Sequence, residues 1–300
     1  MIKYPDMMTL SFEQFEALTY NLYSTKDGQP ATRPFAQKIS RQTITQLITL
    51  GFTSKDGAVT KLGLAVLEQY RVKRAIILGA GLGSRMMPAT KDIPKPMVTV
   101  NGKRFIETQI DALLAAGIED ITVVRGHNGN AFDVLLKAYP MLKFVENARD
   151  KVSNNIVSTY LARDLLESCY VIEDDLLIKN PSVLRKYEYR SHYCSVPTNG
   201  SEDWYFSTDK DSITDVNFGA QLTQDQYLGI SFWTPADAQQ LKLDLEQALK
   251  NPANEQIFLE AVPLKLYPEH YKLYIRRLQK EDVIEVDTYQ ELQQLDQSYR

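Results

Sequence analysis

Three glycines at alternate positions, then an arginine, then a lysine held between two prolines, are the residues of this sequence best suited to chemistry on phosphate. They lie in Ile76-Ile77-Leu78-Gly79-Ala80-Gly81-Leu82-Gly83-Ser84-Arg85, followed by Pro88 and by Pro94-Lys95-Pro96. Glycines lack Cβ atoms, so their backbone N–H groups can come close to phosphate oxygens. Arg85 can fork onto those oxygens. The prolines stiffen the chain around Lys95, and an ammonium held in place is preorganised toward a reacting phosphate. Two other phosphate loops fit less well. A Walker A loop ends in Gly-Lys-Ser/Thr where this chain has Gly83-Ser84-Arg85, and a dinucleotide fingerprint needs glycine where Ser84 stands.

The elements that must position these residues alternate from Lys73 onward. Strands are expected at Arg74–Leu78, Ile121–Val124, Lys143–Glu146 and Tyr170–Ile172, with helices at Phe105–Ala116, Asn130–Ala138 and Asn154–Leu166 between them. Single helices between strands imply right-handed crossovers and a largely parallel sheet, whose ligands sit at the carboxyl ends of the strands. After about residue 190 the pattern turns hairpin-like, with strands expected at His192–Pro197, Trp204–Thr208, Ser212–Val216 and Leu228–Trp233. These form an antiparallel subdomain. Residues 1–72 read differently and are expected as a separate domain, with 73–300 as the second. Ser11 and Gln14 suggest a capping box for a helix with Phe15, Leu18 and Leu22 on one face. Asp27-Gly28 is a turn signal. A second helix runs from Ser40 to Leu50 with Ile44, Leu47 and Ile48 inward and Gly51 as its cap. Asp56-Gly57 signals a hairpin, and a last helix spans Lys61–Tyr70. This order resembles a small winged helix-turn-helix.

Composition narrows the function. With 44% hydrophobic and 24% charged residues over 300 positions, the chain can bury large cores. Lys+Arg 34 against Asp+Glu 38 gives −4, which argues against a general polyanion surface. Residues 1–72 hold eight basic and six acidic side chains, net +2, and Ser40–Gln46 holds a single basic residue, so DNA binding there is disfavoured against docking or regulation. Cys169 and Cys194 read as reduced thiols of a cytoplasmic protein. The N-terminus lacks an apolar signal-peptide core, and no run of about 18 apolar residues suggests a membrane span. His127, His192 and His270 have no metal-ligand spacing and read as structural.

Residues 75–100, AIILGAGLGSRMMPATKDIPKPMVTV, resemble the signature of nucleotidyltransferases that activate phosphate compounds with a nucleoside triphosphate. Gly79 stands where that signature usually has alanine. The likeness continues in Asn101-Gly102-Lys103, Gly117-Ile118, Val124-Arg125-Gly126 and Asn154-Asn155, and Leu228-Gly229-Ile230-Ser231-Phe232-Trp233 narrows it to the CTP:phosphocholine cytidylyltransferase branch. It spans residues 73–295, and the N-terminal extension resembles one found on some members of that branch.

The resemblance implies a nucleotide-diphospho-sugar-transferase-like α/β fold and a reaction of CTP with phosphocholine to give CDP-choline and pyrophosphate. It implies Lys95 and Arg85 as catalytic groups, and Leu78, Gly79, Ala80, Gly81, Gly83, Ser84 and Gly126 around the nucleotide. Asn154, Asn155 and Ser158 either touch the base or ribose or merely cap a helix. Two polyanions meeting call for Mg²⁺, usually held by one or two carboxylates and by phosphate oxygens. Glu173-Asp174-Asp175 ends an apolar strand in acids, with Glu173 and Asp175 on one face. Asp175 is the implied first ligand, and either Glu285 or Asp287 the second. A quaternary ammonium is recognised by aromatic faces. Trp204 is the first candidate and Trp233 the second, with Tyr205, Tyr227 and Phe258 nearby and Glu260 balancing the charge; ordinary core aromatics are the alternative. The rival readings are a sugar-1-phosphate, phosphoethanolamine or aminophosphonate nucleotidyltransferase, and a nucleotide-sensing regulator. A homo-oligomer is left open.

Overall fold

A computed structural model describes residues 9–24, 39–198, 204–219 and 224–300. The chain divides into two compact units, one of residues up to Arg71 with Tyr187–Tyr189, the other of Val72–Lys186 with Arg190–Arg300.

In the first unit, α1 (Phe12–Ser24) opens with the expected reciprocal cap. Ser11 N donates to Gln14 Oε1 at 2.9 Å, and Gln14 N donates to Ser11 Oγ at 3.2 Å. Ser40 caps α2 (Arg41–Thr49) by accepting from Thr43 N, and Gly51 follows the helix at φ +73, a left-handed conformation that suits glycine. Thr60 caps α3 (Lys61–Leu67). Phe15, Leu18, Leu47, Phe52 and Leu67 share one core, whereas Ile44, expected inward, is exposed. The hairpin at Asp56-Gly57 closes a single bridge, Thr53 with Val59, rather than a two-stranded wing. The Asp27-Gly28 turn lies outside the described residues. Sequence patterning gave no sign that Tyr187–Tyr189 completes this core. Tyr187 OH donates to Glu68 Oε1 at 2.6 Å, Tyr189 OH donates to Leu10 O at 2.8 Å, and the Tyr189 ring stacks on Tyr70 at 5.3 Å.

The second unit is built on one nine-stranded sheet. Its parallel part comprises β1 (Arg74–Gly79), flanked by β4 (Asp120–Arg125) and β6 (Cys169–Glu173), with β5 (Lys143–Glu146) outside β4. Two short strands, β2 (Thr99–Val100) and β3 (Lys103–Arg104), form a separate pair. Past β6 the same sheet continues as β11 (Gln224–Trp233), antiparallel to β6, then β8 (His192–Thr198), β12 (Tyr274–Arg277), β10 (Ser212–Phe218) and β9 (Trp204–Asp209). The sheet is therefore mixed rather than mostly parallel. The later strands extend it because β11 pairs antiparallel with β6 along Ile230–Trp233 and Ile172–Cys169, and within that extension β12 runs parallel to β8.

Strand alternation splits the core into two layers. Ile77, Val123 and Ile172 pack with Ile106, Ile110 and Leu113 of α4 (Phe105–Ala115). Ile76, Leu78 and Val171 pack on the other face with Ile156 of α5 (Asn155–Leu161) and Leu241 of α6 (Pro235–Ala248). Two expected helices differ from their forecast. Gly129–Lys137 is a 3-10 helix, and α5 stops at Ala162 before a 3-10 turn at Arg163–Leu165. A last ribbon pairs β7 (Leu176–Ile178) with β13 (Val283–Glu285), and Thr288 caps α7 (Tyr289–Leu295) after it.

Candidate active site

The carboxyl ends of β1 and β6 deliver two segments of opposite charge to one place. β1 ends at Gly79 and passes into the glycine loop. Gly83 has φ +59, and a Cβ there would come within 3.0 Å of Lys95 Cβ and of Thr90 Cγ2, so glycine lets the loop close on the lysine segment. Thr90 Oγ1 donates to Gly83 O at 2.8 Å and fixes that closure. Lys95 begins a 3-10 turn after Pro94. β6 ends at Glu173, so Asp174 and Asp175 follow at the same sheet edge.

Lys95 is 5% exposed, and its Nζ lies 2.9 Å from Asp287 Oδ1 and 3.2 Å from Asp175 Oδ2. Burial alone would lower its pKa, but Asp175, Asp174 and Asp287 outweigh it and hold the ammonium well above the ordinary lysine value. Arg85 also reaches Asp287 Oδ1, at 2.8 Å, while remaining mostly exposed. These groups share a cleft of about 400 Å³.

The acids fit a divalent cation. Carboxylate oxygens of Asp175, Glu285 and Asp287 lie within 4.8 Å of one another. Asp175 Oδ1 is buried without a hydrogen bond, so one oxygen is uncommitted while Oδ2 meets Lys95. An all-oxygen set of this kind suits a hard ion. Asp174 also lines the cleft, against the glycine loop, where a Cβ on Gly81 would lie 3.2 Å from its Oδ2. Burial, then the Asp175 charge, push Asp174 up to about 7.

A second group of acids lies beside the first. Glu173 lines the cleft, and Asn155 Nδ2 donates to its Oε1 at 3.1 Å. Glu260 is buried near it, in contact with Asn155 and with the Tyr227 hydroxyl. Neither makes an ion pair among the described residues. Burial first, and for Glu173 then the Glu260 charge, raise both above the usual carboxylate range. The nearby Tyr193 hydroxyl is buried without a hydrogen-bond partner.

Residues 74–189 match the nucleotidyl transferase family. The 2-aminoethylphosphonate cytidylyltransferase of Lancefieldella rimae is 36% identical over 230 residues, 75% of this chain and 92% of that relative. The chain belongs to the nucleotidyl transferase family. Within it, the choline-phosphate cytidylyltransferase of Streptococcus pneumoniae is 31% identical over 75% of this chain and 97% of its own length. A solved structure of CTP:phosphocholine cytidylyltransferase from Streptococcus pneumoniae superposes with TM-score 0.71 at 29% identity, covering 77% of this chain and all of that one.

The nucleotidyl transferase cleft gathers most of the residues singled out in the sequence. Leu78, Ala80, Gly81, Gly83, Ser84, Arg85, Lys95, Asn154, Asn155, Ser158, Asp175, Asp287 and Phe258 line it. Gly79 and Gly126 do not. Gly79 packs under Phe132 and Val123, and a Cβ on Gly126 would strike Asp150 at 2.6 Å, so both glycines serve close packing behind the wall. Glu285 pairs with Leu176 in the ribbon and does not reach the cleft wall. Trp204 stands outside it, in edge contact with Phe218 at 5.9 Å and with Phe258 at 6.1 Å, and Lys265 Nζ lies 4.4 Å from its ring centre. Trp233 is not brought to the site. It pairs with Cys169, at the opposite end of β6 from Glu173, is 1% exposed, and donates Nε1–H to Ser231 Oγ.

Asn154 is the cap of α5, and its Nδ2 donates to Gln256 O at 3.3 Å. Asn155 instead joins two walls, since its Oδ1 accepts from Leu259 N at 2.7 Å while its Nδ2 holds Glu173. Asn147, Asp150, Lys151, Ser153 and Gln256 also line the cleft and were not foreseen. Asn147 follows β5 and donates to Ser158 Oγ at 3.0 Å. Its place after a parallel strand was the available signal. Among the described residues no helix is long and apolar enough to cross a membrane.

Proposed function

We propose that this chain transfers a cytidylyl group from CTP to a small phosphate or phosphonate that carries an amine, releasing pyrophosphate. The observation that carries this is the meeting of Lys95 with Asp175 and Asp287 at the mouth of the glycine loop. Loop amides and Arg85 hold the outer phosphates, and Lys95 neutralises charge gathering at the α-phosphorus. The acceptor oxyanion is already a nucleophile, so no general base is required. Asp175 and Asp287, with Glu285 beside them, would hold a divalent cation such as Mg²⁺. When bound, such an ion supplies charge neutralisation and orients phosphate oxygens. Asn147, Ser158 and Asn154 stand where they could read the base or ribose.

Two acceptors are in contention. Phosphocholine is supported by the Streptococcus pneumoniae relative and by the Trp204–Phe258 pair. 2-Aminoethylphosphonate is supported by the Lancefieldella rimae relative, and by Glu173 and Glu260, which lack a cation, beside the unpartnered Tyr193 hydroxyl. A primary ammonium donates hydrogen bonds to such groups, whereas a quaternary one cannot. Lys265 over the Trp204 ring further favours the primary amine, because one aromatic face already has a cation.

Pyrophosphate release is measured with CTP and UTP against phosphocholine, 2-aminoethylphosphonate, phosphoethanolamine and glucose 1-phosphate. The expected result is turnover with CTP and highest kcat/KM on a primary-amine acceptor. Highest kcat/KM on phosphocholine would transfer the acceptor site to the aromatics. Preference for glucose 1-phosphate would overturn the amine reading.

A further inference from the structure

β6 ends at Glu173 and β7 begins at Leu176, so Asp174 and Asp175 occupy a two-residue passage between strands. We infer that Gln109 of α4 is a positioning residue for the cation site, stapling that passage so that Asp175 keeps its aim. The inference rests on Asp175 and Asp287 being cation ligands.

Gln109 is fully buried, at 0% exposure. Its Nε2 donates to the carbonyl of Glu173 and to the carbonyl of Leu176, both at 3.0 Å. Those carbonyls bracket the passage on its two sides, so one amide group spans it. The orientation of the amide follows from its partners. Turned over, Oε1 would face two carbonyl oxygens, acceptor against acceptor. In the observed orientation Oε1 is buried with no hydrogen bond. An unpaired buried acceptor costs stability, and methionine or leucine could fill the same space without that cost. The amide is therefore explained by its two donor hydrogens.

The passage is held from its other side as well. Val286 N donates to Asp175 O at 3.0 Å, and Val286 directly precedes Asp287. The backbones of both acids are thus linked, and Gln109 completes the frame from α4. Its neighbour Thr108 contacts the same ribbon without touching the passage. Thr108 Oγ1 accepts from Ile178 N at 3.0 Å and donates to Phe105 O at 2.7 Å. Thr108 is thus an internal control on the same helix.

The test uses the full chain without nucleotide and Mn²⁺ as probe, followed by titration calorimetry, with Tm recorded for every variant. Gln109→Met is expected to weaken Mn²⁺ binding about tenfold or more, the scale for losing support behind a ligand. Thr108→Val is expected to lower Tm while leaving Mn²⁺ affinity within about twofold. Gln109→Met binding Mn²⁺ as tightly as wild type would overturn the role. So would Thr108→Val losing as much affinity at an equal drop in Tm, because general loosening would then suffice. If Gln109→Met does not fold, Gln109→Asn keeps an amide one methylene too short to span both carbonyls, and wild-type affinity in that variant would overturn the role equally. Asp175→Asn distinguishes the underlying reading. Unchanged Mn²⁺ binding in that variant, or no uptake by wild type, would remove the cation site itself.

Discussion

The two ends of the cleft solve opposite electrostatic problems. At the phosphate end, Lys95 is already surrounded by acids, with Nζ 2.9 and 3.2 Å from Asp287 and Asp175. At the proposed acceptor end, burial raises both Glu173 and Glu260, and the Glu260 charge raises Glu173 further, with no ion pair among the described residues. A buried lysine is tolerated only when paired, so the first end is preassembled around its own charge. The second end carries buried carboxyls whose charged forms an incoming cation would favour. Under the proposed function, the difference would assign rate to one end and choice of acceptor to the other.

Lys95→Ala attacks the first end. It is expected to lower kcat by ~10²-fold or more, with little change in KM for the acceptor. Near-normal turnover in a steady-state assay would take Lys95 out of the chemistry. Glu260→Gln attacks the second end. It is expected to raise KM for an amine-bearing acceptor roughly tenfold, the scale of one charge-assisted hydrogen bond, and to leave KM for CTP alone. A larger effect on CTP than on the acceptor would erase the division of labour.

Legibility differs between the ends for a physical reason. The phosphate end is local. Glycines, arginine and a proline-bracketed lysine fall within 20 residues, and three acids follow an apolar strand, so spacing points to Lys95 and to Glu173–Asp175, while the family resemblance singles out Asp175. The proposed acceptor end draws on β6, β8, β11 and the segment at Phe258–Glu260, and no short pattern joins them. Trp233 shows the cost of judging an aromatic by type. It lies in the right strand, but ten residues of β11 carry it to the core end. The mixed sheet escaped notice for the same reason, because alternation shows where a strand is but not which neighbour it pairs with. Asn155 reads in the sequence as a cap or a nucleotide contact, whereas in the fold its side chain ties Glu173 to Leu259.

Smaller effects sharpen the contrast. Trp204→Ala is expected to reduce kcat/KM for phosphocholine about threefold and to spare 2-aminoethylphosphonate, as loss of one exposed cation–π contact would. Trp233→Phe is expected to leave acceptor discrimination unchanged and to lower the urea midpoint; altered discrimination would return Trp233 to the site. The smallest effect lies away from both ends, where His270 Nδ1 meets Asp244 Oδ2 at 3.0 Å. The Asp244 hydrogen bond raises the histidine above its ordinary 6.5. Its contribution to stability is therefore complete below pH 6.5 and fades as the pH rises through the raised value. The Tm gap between wild type and His270→Gln should narrow as the pH is raised, and a gap that widens would reverse the assignment.

The tyrosines at 187 and 189 have a consequence for the order in which the protein is made. The N-terminal unit leaves the ribosome first, yet its core includes Tyr187 and its rings include Tyr189. Domains that emerge early usually fold before the rest of the chain is synthesised. Here the first domain must wait for more than a hundred further residues, through β6 and β7, before its last apolar contacts exist. A fragment cut at residue 72 would be missing part of its own interior, and the catalytic remainder would carry two tyrosines without their partners.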